Sequence, residues 1–370
     1  MNEQSLREFG KIIGDLVQGK HLSRSLSREC YRQILLNLQP ELQQGAFLAA
    51  HMAKGATVEE IAGAWEAVNL YDTQVIQPNI PEPACDIVGT GSDALKTVNV
   101  SSPVAPVVSA CGIYVAKKGA QRVTGVSGAS DIYQELGVDL GSPLELARSS
   151  LEKNRVCYLP GEAFLKSGWA RLIQSMRFTS PFNVIGPLTM PCKATDTLLL
   201  GVYSKALASE MIAICKEIGM ERALAYYGQS DEHPEELGID EISVCGKTHC
   251  VELKGGTVNE YTLRPEDFGV KPSRYETIAT RESARDNAVA ALGVLSGKAD
   301  TPLADFYAVN AAVALWLMDR SPDLKSATDR AREAMADGSA LEALRGLVST
   351  QNRFPEKGLE RLEMMVREAN

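Results

Sequence analysis

The chain has 370 residues, 45% of them hydrophobic and 23% charged, enough for a full α/β core with a smaller companion domain. A formal net charge of −9 works against an extended basic surface for nucleic acid, so any anionic ligand has to be held locally. No run of about 18 apolar residues suggests a membrane span, and the polar start Met1-Asn2-Glu3-Gln4 lacks a signal-peptide pattern, so the expected location is the cytoplasm.

In chain order, the first seventy residues read as amphipathic helices. Leu6, Phe9, Ile12, Ile13 and Leu16 recur at helical spacing, with Gly19 as a stop. Ser27 is expected to cap a second helix carrying Tyr31, Ile34 and Leu35, and Pro40 to open a third that ends near Gly55. Thr57-Val58-Glu59-Glu60 has the capping-box pattern and should open a fourth, through Ile61, Trp65 and Val68. The proline-rich segment QPNIPEPAC then resists regular structure, which divides the chain into a helical N-terminal domain over 1–76 and a second domain over 77–370.

The second domain alternates short apolar runs (Cys85–Val88, Ile113–Ala116, Val156–Leu159, Ala223–Tyr227) with helical stretches. That is the pattern of an α/β fold with a mainly parallel central sheet flanked by helices. Thr248–Leu253 and Val258–Leu263 flank Gly255-Gly256 and read as a hairpin. Two long helices, Pro302–Met318 and Ala327–Val348, are expected to close the sheet's face. The eight cysteines are scattered. Cys245, His249 and Cys250 lie close together in CGKTHC, but with no second ligand pair nearby they are not assigned to zinc.

The stretch DIVGTGSDALKTVNVSSPVAPVVSACG, residues 86–112, runs from strand to loop to helix. Gly89 and Gly91 allow a tight turn at the strand's carboxyl end and leave room for a bulky anion against the backbone amides. Ser102 sits where an N-cap belongs and Pro103 where a first helical residue belongs, so the helix's free amides face the same loop. Thr97, Asn99, Ser101 and Ser102 add hydroxyl and amide groups suited to a diphosphate, and Ser101 offers oxygen to a hard cation. The spacing is neither that of a dinucleotide fingerprint nor that of a Walker A loop.

GTGSDALKTVNVSS closely resembles the GTGGD…T.N.ST segment of the anthranilate phosphoribosyltransferase family, within the nucleoside phosphorylase and glycosyltransferase family 3 fold. KKGAQRVTGVSGASDIYQELGV (117–138) resembles its KHGNR…SGS.D.LE.LG segment, FNVIGPLTMP (182–191) its FN.LGPL.NP, and LGIDEISVCGKTHCVEL (237–253) its G.DEIS..G.T.V.EL. The resemblance implies transfer of a phosphoribosyl group from phosphoribosyl diphosphate (PRPP) to a small aromatic or heterocyclic acceptor, with release of diphosphate. It also implies Mg2+ as cofactor and a homodimer formed through the N-terminal helices. Carried over by position, PRPP falls to Gly89, Ser92, Asp93, Thr97, Asn99, Ser101, Ser102 and Lys117, and magnesium to Ser101, Asp240 and Glu241. No residue is singled out as a covalent catalyst; the chemistry rests on positioning and charge stabilisation.

The departures from the family cluster at the acceptor. Ala120 stands where the family has an asparagine, Gln121 where it has an arginine, with Arg122 one residue later. Glu162 falls near a histidine's place, and Thr179 falls where an arginine holds the anthranilate carboxylate, with Arg177 two residues earlier. An insertion, GQSDEHPEE, precedes Gly238. The competing expectations are a phosphorylase-like relative and a non-catalytic paralogue that binds a ligand, partner or nucleic acid on the same fold.

Overall fold

A computed structural model describes residues 3–91, 93–122, 126–166, 168–176, 180–298 and 301–369. Four helices come first: α1 (Glu3–Val17), α2 (Arg24–Leu35), α3 (Glu41–Lys54) and α4 (Val58–Ala67), the last running into a π-helical turn over Val68–Asp72. The capping box of α4 forms as the sequence implies, with Thr57 and Glu60 each bonding the other's backbone. The cap of α2 is Ser23, not Ser27. The helix begins a turn earlier than expected, and the buried Ser27 hydroxyl donates instead to Glu60 O at 2.6 Å. Pro40 is the N-cap of α3 rather than its first helical residue. At Gly63 a side chain would strike the Arg24 carbonyl, so α2 and α4 approach backbone to backbone there.

The chain continues as β1 (Ala84–Gly89), α5 (Ser101–Ala110), β2 (Tyr114–Gly119), α6 (Ala129–Glu135), α7 (Leu144–Asn154), β3 (Val156–Pro160), α8 (Gly161–Phe164), α9 (Gly168–Met176) and α10 (Phe182–Leu188). Then follow β4 (Thr195–Gly201), α11 (Lys205–Glu217), β5 (Arg222–Gln229), β6 (Gly238–Ile239), β7 (Thr248–Lys254) and β8 (Thr257–Leu263). Helices α12 (Tyr275–Ile278), α13 (Ala284–Leu295), α14 (Thr301–Leu317), α15 (Leu324–Ala336), α16 (Ser339–Gln351) and α17 (Pro355–Ala369) complete it. The expected long helix Ala327–Val348 is two, because Gly338 takes φ +82° between α15 and α16. Strand β4 is not among the expected runs: a short apolar stretch such as TLLLG has no period that separates buried strand from buried helix.

One compact unit takes in residues 1–75, 164–191 and 213–220, the other 76–163, 192–212 and 221–370. In the first, Tyr31 packs edge-to-face on Phe47 (centroids 5.6 Å), Trp169 stacks on Phe182 (4.9 Å), and the Asp72 carboxylate accepts from Gly168 N and Trp169 N, both at 2.8 Å. The second is built on one eight-stranded sheet in the order β3-β2-β1-β4-β5-β7-β8, with β6 beside β5. Strands β1 to β5 run parallel and β7 and β8 antiparallel. The parallel strands are buried almost throughout, as expected where both faces are covered, whereas β8 turns mainly exposed residues outward. Among the described residues, no helix is long and apolar enough to cross a membrane.

Candidate functional site

Strand order places the site. From β1 the chain winds outward through β2 and β3, then returns to β4 on the other side of β1 and winds the opposite way through β5. Such a reversal opens a crevice at the carboxyl ends of the two strands. Here those ends are Gly89 and Gly201, which face each other in register. A side chain at Gly89 would collide with the Asp240 carboxylate, and one at Gly201 with the Asp240 carbonyl, so both glycines exist to let this acidic turn into the crevice. Gly91, at φ +64°, donates its N–H to Asp240 Oδ2 at 2.9 Å. From α14 the Asn310 carboxamide clamps the next residue but one, accepting from Ile242 N at 2.9 Å and donating to Ile242 O at 3.0 Å.

Three carboxylates are crowded together there. Burial and the neighbouring Asp93 push Asp240 up to about 7; burial and Asp240 push Glu241 well above the usual range. Asp93 is also raised by burial, against the pull of Lys96, whose Nζ lies 2.6 Å away. Among the described residues no three of His, Cys, Asp and Glu are arranged as a metal-binding group. Two hard-oxygen carboxylates held in mutual repulsion nevertheless suit magnesium, which takes few protein ligands and completes its shell with water and phosphate.

The loop from Gly89 leads into α5, whose first helical residue is Ser101, two before the expected Pro103; Val100, not Ser102, is the cap position and has no side-chain bond. Asn99 Oδ1 accepts weakly from Ser102 N at 3.3 Å. The Ser102 hydroxyl is fully buried and has no hydrogen-bond partner in the protein. Pro106 stands inside α5 and cannot donate to the Ser102 carbonyl four residues back. The buried Tyr133 hydroxyl takes that place at 2.9 Å, and Tyr307 OH holds the Asn99 carbonyl at 2.9 Å. Thr97 is bridged to Ala279 in a short antiparallel contact.

At the end of β2, Lys117 is 1% exposed, and its Nζ donates to Ile87 O (2.7 Å) and Lys118 O (3.1 Å). Burial pulls its pKa down to about 8, although Asp86 opposes the shift. Its neighbour Lys118 is ion-paired with Asp86, whose other oxygen accepts from Lys118 N at 3.1 Å.

Beyond β2, Ala120, Gln121 and Arg122 are exposed. Gln121 N donates to Glu162 Oε1 (2.7 Å), Ser130 Oγ donates to Glu162 Oε2 (3.1 Å), and Arg122 N donates to Asp131 Oδ2 (3.0 Å). Glu162 therefore braces the loop's backbone. Ser92, Arg177 and Thr179 lie outside the described residues. The structure thus gathers Gly89, Asp93 and Asp240 around one crevice, and Gln121 with Glu162 at a second place. Residues missed from the sequence are Asp86, Tyr133, Tyr275, Tyr307 and Asn310. Only Tyr133 had a legible signal: a proline inside a helix requires a replacement donor for the carbonyl it frees.

The glycosyl transferase family a/b domain matches residues 81–341, and the glycosyl transferase family helical bundle domain matches residues 11–69. The chain is 33% identical to the anthranilate phosphoribosyltransferase of Colwellia psychrerythraea over 356 residues, 95% of this chain and 94% of that protein. It is also 33% identical to that of Methylococcus capsulatus over 355 residues, 94% and 99% of the two chains. Among solved structures it is similar to anthranilate phosphoribosyltransferase from Thermus thermophilus (TM-score 0.80, 27% identity, 96% and 99% of the two chains). It is similar too to the Saccharomyces cerevisiae enzyme in complex with PRPP and Mg (TM-score 0.79, 25% identity, 98% and 99%).

Proposed function

The chain belongs to the glycosyl transferase family that contains the anthranilate phosphoribosyltransferases, and from that membership and the crevice geometry we infer its reaction. It is a pentosyltransferase of tryptophan-biosynthesis type that moves phosphoribosyl from PRPP to a small aromatic or heterocyclic acceptor and releases diphosphate. The observation that carries this reading is the crevice at the ends of β1 and β4, where Gly89 and Gly201 make room for Asp240 and Asp93 lies close by.

The leaving diphosphate concentrates charge, and the residues best placed to bind it are Gly89, Asp93, Thr97, Asn99, Ser101, Ser102 and Lys117, joined by Ser92. Gly91 N is held by Asp240 and Ser102 N by Asn99, so the anion is met by the hydroxyls of Thr97 and Ser101 and by the positive end of the α5 dipole. Lys117 has used two of its three protons on carbonyls, and an anion beside it would restore the charge that burial weakens. Asp240, Glu241 and Ser101 would hold Mg2+, which when bound supplies Lewis-acid neutralisation of the diphosphate. The acceptor pocket is assigned to Ala120, Gln121, Arg122, Glu162, Arg177 and Thr179. With the family's asparagine absent, orientation of the acceptor falls to the backbone that Glu162 braces. The chemistry is assigned to the α/β unit, and the helical unit, which takes in 164–191 and 213–220 besides residues 1–75, pairs with a second copy through its exposed apolar side chains. The free thiols at Cys30, Cys85, Cys111, Cys157, Cys192, Cys245 and Cys250 support a reducing, cytoplasmic setting.

Titration calorimetry with PRPP and magnesium, followed by diphosphate release with anthranilate and a panel of carboxylate-free aromatic amines, tests the reading. Heat of binding and turnover with at least one acceptor are expected. A protein that takes up no PRPP would refute it.

A further inference from the structure

Residues 230–236 of the insertion GQSDEHPEE lie between β5 and β6 and carry four acidic side chains, which would repel a diphosphate if they faced it unpaired. Two of them are engaged elsewhere. Glu235 is paired with Lys247 and Lys205, and Glu232 Oε1 accepts from Arg274 Nε at 3.2 Å. The other Glu232 oxygen accepts from Tyr275 N at 2.9 Å, and the His233 ring meets the Tyr275 ring edge-on, centroids 5.1 Å apart. His233 Nδ1 is in turn 3.1 Å from Ser230 Oγ, so both the ring and the carboxylate that touch Tyr275 are held from within the insertion. Tyr275 passes the contact on: its hydroxyl donates to the Lys96 carbonyl at 2.7 Å, an oxygen that also accepts from Thr280 N at 3.0 Å. Lys96 lies inside the loop between β1 and α5, next to Thr97, and its Nζ holds Asp93.

We propose that the inserted turn is a positioning element for the diphosphate loop: Glu232 and His233 fix Tyr275, and Tyr275 fixes the Lys96 carbonyl, so that residues 93–99 are ordered before the anion arrives. The inference rests on the reading of that loop as the PRPP site. Ordering loop residues costs conformational entropy, which an unbraced loop meets at the moment of binding and a braced one has already met.

Tyr275→Phe removes one hydroxyl and leaves the ring against His233. With magnesium present, the calorimetric Kd for PRPP is expected to rise about five- to ten-fold, the effect of one lost hydrogen bond. Glu232→Ala should act in the same direction, Glu232→Gln, which still accepts from Tyr275 N, should recover most of the affinity, and the double variant Glu232→Ala with Tyr275→Phe should fall short of additivity. Unchanged Kd in both single variants while the wild type binds PRPP would overturn the proposal, including when their melting temperatures fall, since that is a purely structural role. No binding by the wild type would overturn the site reading itself, and this inference with it.

Discussion

Pro106 is an unusual residue for the interior of a helix. It leaves the Ser102 carbonyl without its helical donor, and the fully buried Tyr133 hydroxyl supplies the replacement at 2.9 Å. A buried carbonyl left unsatisfied costs about 1–3 kcal/mol. Tyr133→Phe should therefore lower the unfolding free energy by about that amount, while Pro106→Ala in the same background restores an N–H to Ser102 O and should recover most of the loss. Urea unfolding of the wild type and the two variants decides it; a double variant no more stable than Tyr133→Phe alone would show that the hydroxyl does not substitute for the missing amide. The same scale explains why Asp240 was legible and its supports were not. An Asp-Glu pair inside a quoted motif is visible in the sequence, whereas Asn310 lies 68 positions from the Ile242 backbone it clamps, and nothing local marks it.

At the scale of elements, the start of α4 gathers more than a capping box. Glu60, its side chain wholly buried, accepts from Leu22 N (2.6 Å), Thr57 N (2.7 Å) and Lys54 Nζ (2.8 Å), with His51 Nε2 3.5 Å away and His21 Nδ1 3.9 Å away. Burial works against its charge, but the bonds from Leu22, Lys54 and Thr57 outweigh it and hold the pKa down to about 2 against an ordinary 4.5. A carboxylate held low in the folded state stabilises fully above 4.5 and loses that contribution as pH falls from 4.5 towards 2. The expected loss is about 3 kcal/mol across that window. His51, lowered by burial, adds to acid sensitivity below its ordinary 6.5 because the unfolded chain binds the proton more readily. Glu60→Gln should be about 2–3 kcal/mol less stable at neutral pH and should show a flatter stability profile below pH 4.5 than the wild type. Parallel profiles in urea titrations followed by tryptophan fluorescence would contradict this. The capping box itself could be read from spacing alone, because it is a local motif. Leu22 and Lys54 could not, because they reach Glu60 from other elements.

For the molecule as a whole, the helical unit exposes large apolar side chains that its own packing does not cover: Val17 at 73%, Leu42 at 85% and Leu70 at 63%. Exposed apolar surface of this kind favours a self-complementary contact with a second copy. Light scattering should give twice the chain mass, and Leu42→Glu should shift the protein towards a monomer; a wild-type monomer would refute the pairing. Much of the architecture was readable in advance because it is set by period and punctuation. The helical stripes of α1 and α4, the proline-rich break, the buried strands β1, β2, β3 and β5 and the Gly255-Gly256 hairpin all lie within a few residues of their causes. The strand–loop–helix segment from β1 to α5 was readable for the same reason, since glycines, hydroxyls and a helix start are contiguous. What only the tertiary structure decided is where that loop meets its partners. The reversal of strand order between β1 and β4 brings Asp240 to Gly91, 149 positions away, Tyr133 replaces an amide that Pro106 lacks, and the inserted turn touches the loop through Tyr275. Each of these contacts depends on long-range packing, which a linear pattern of residues does not encode locally.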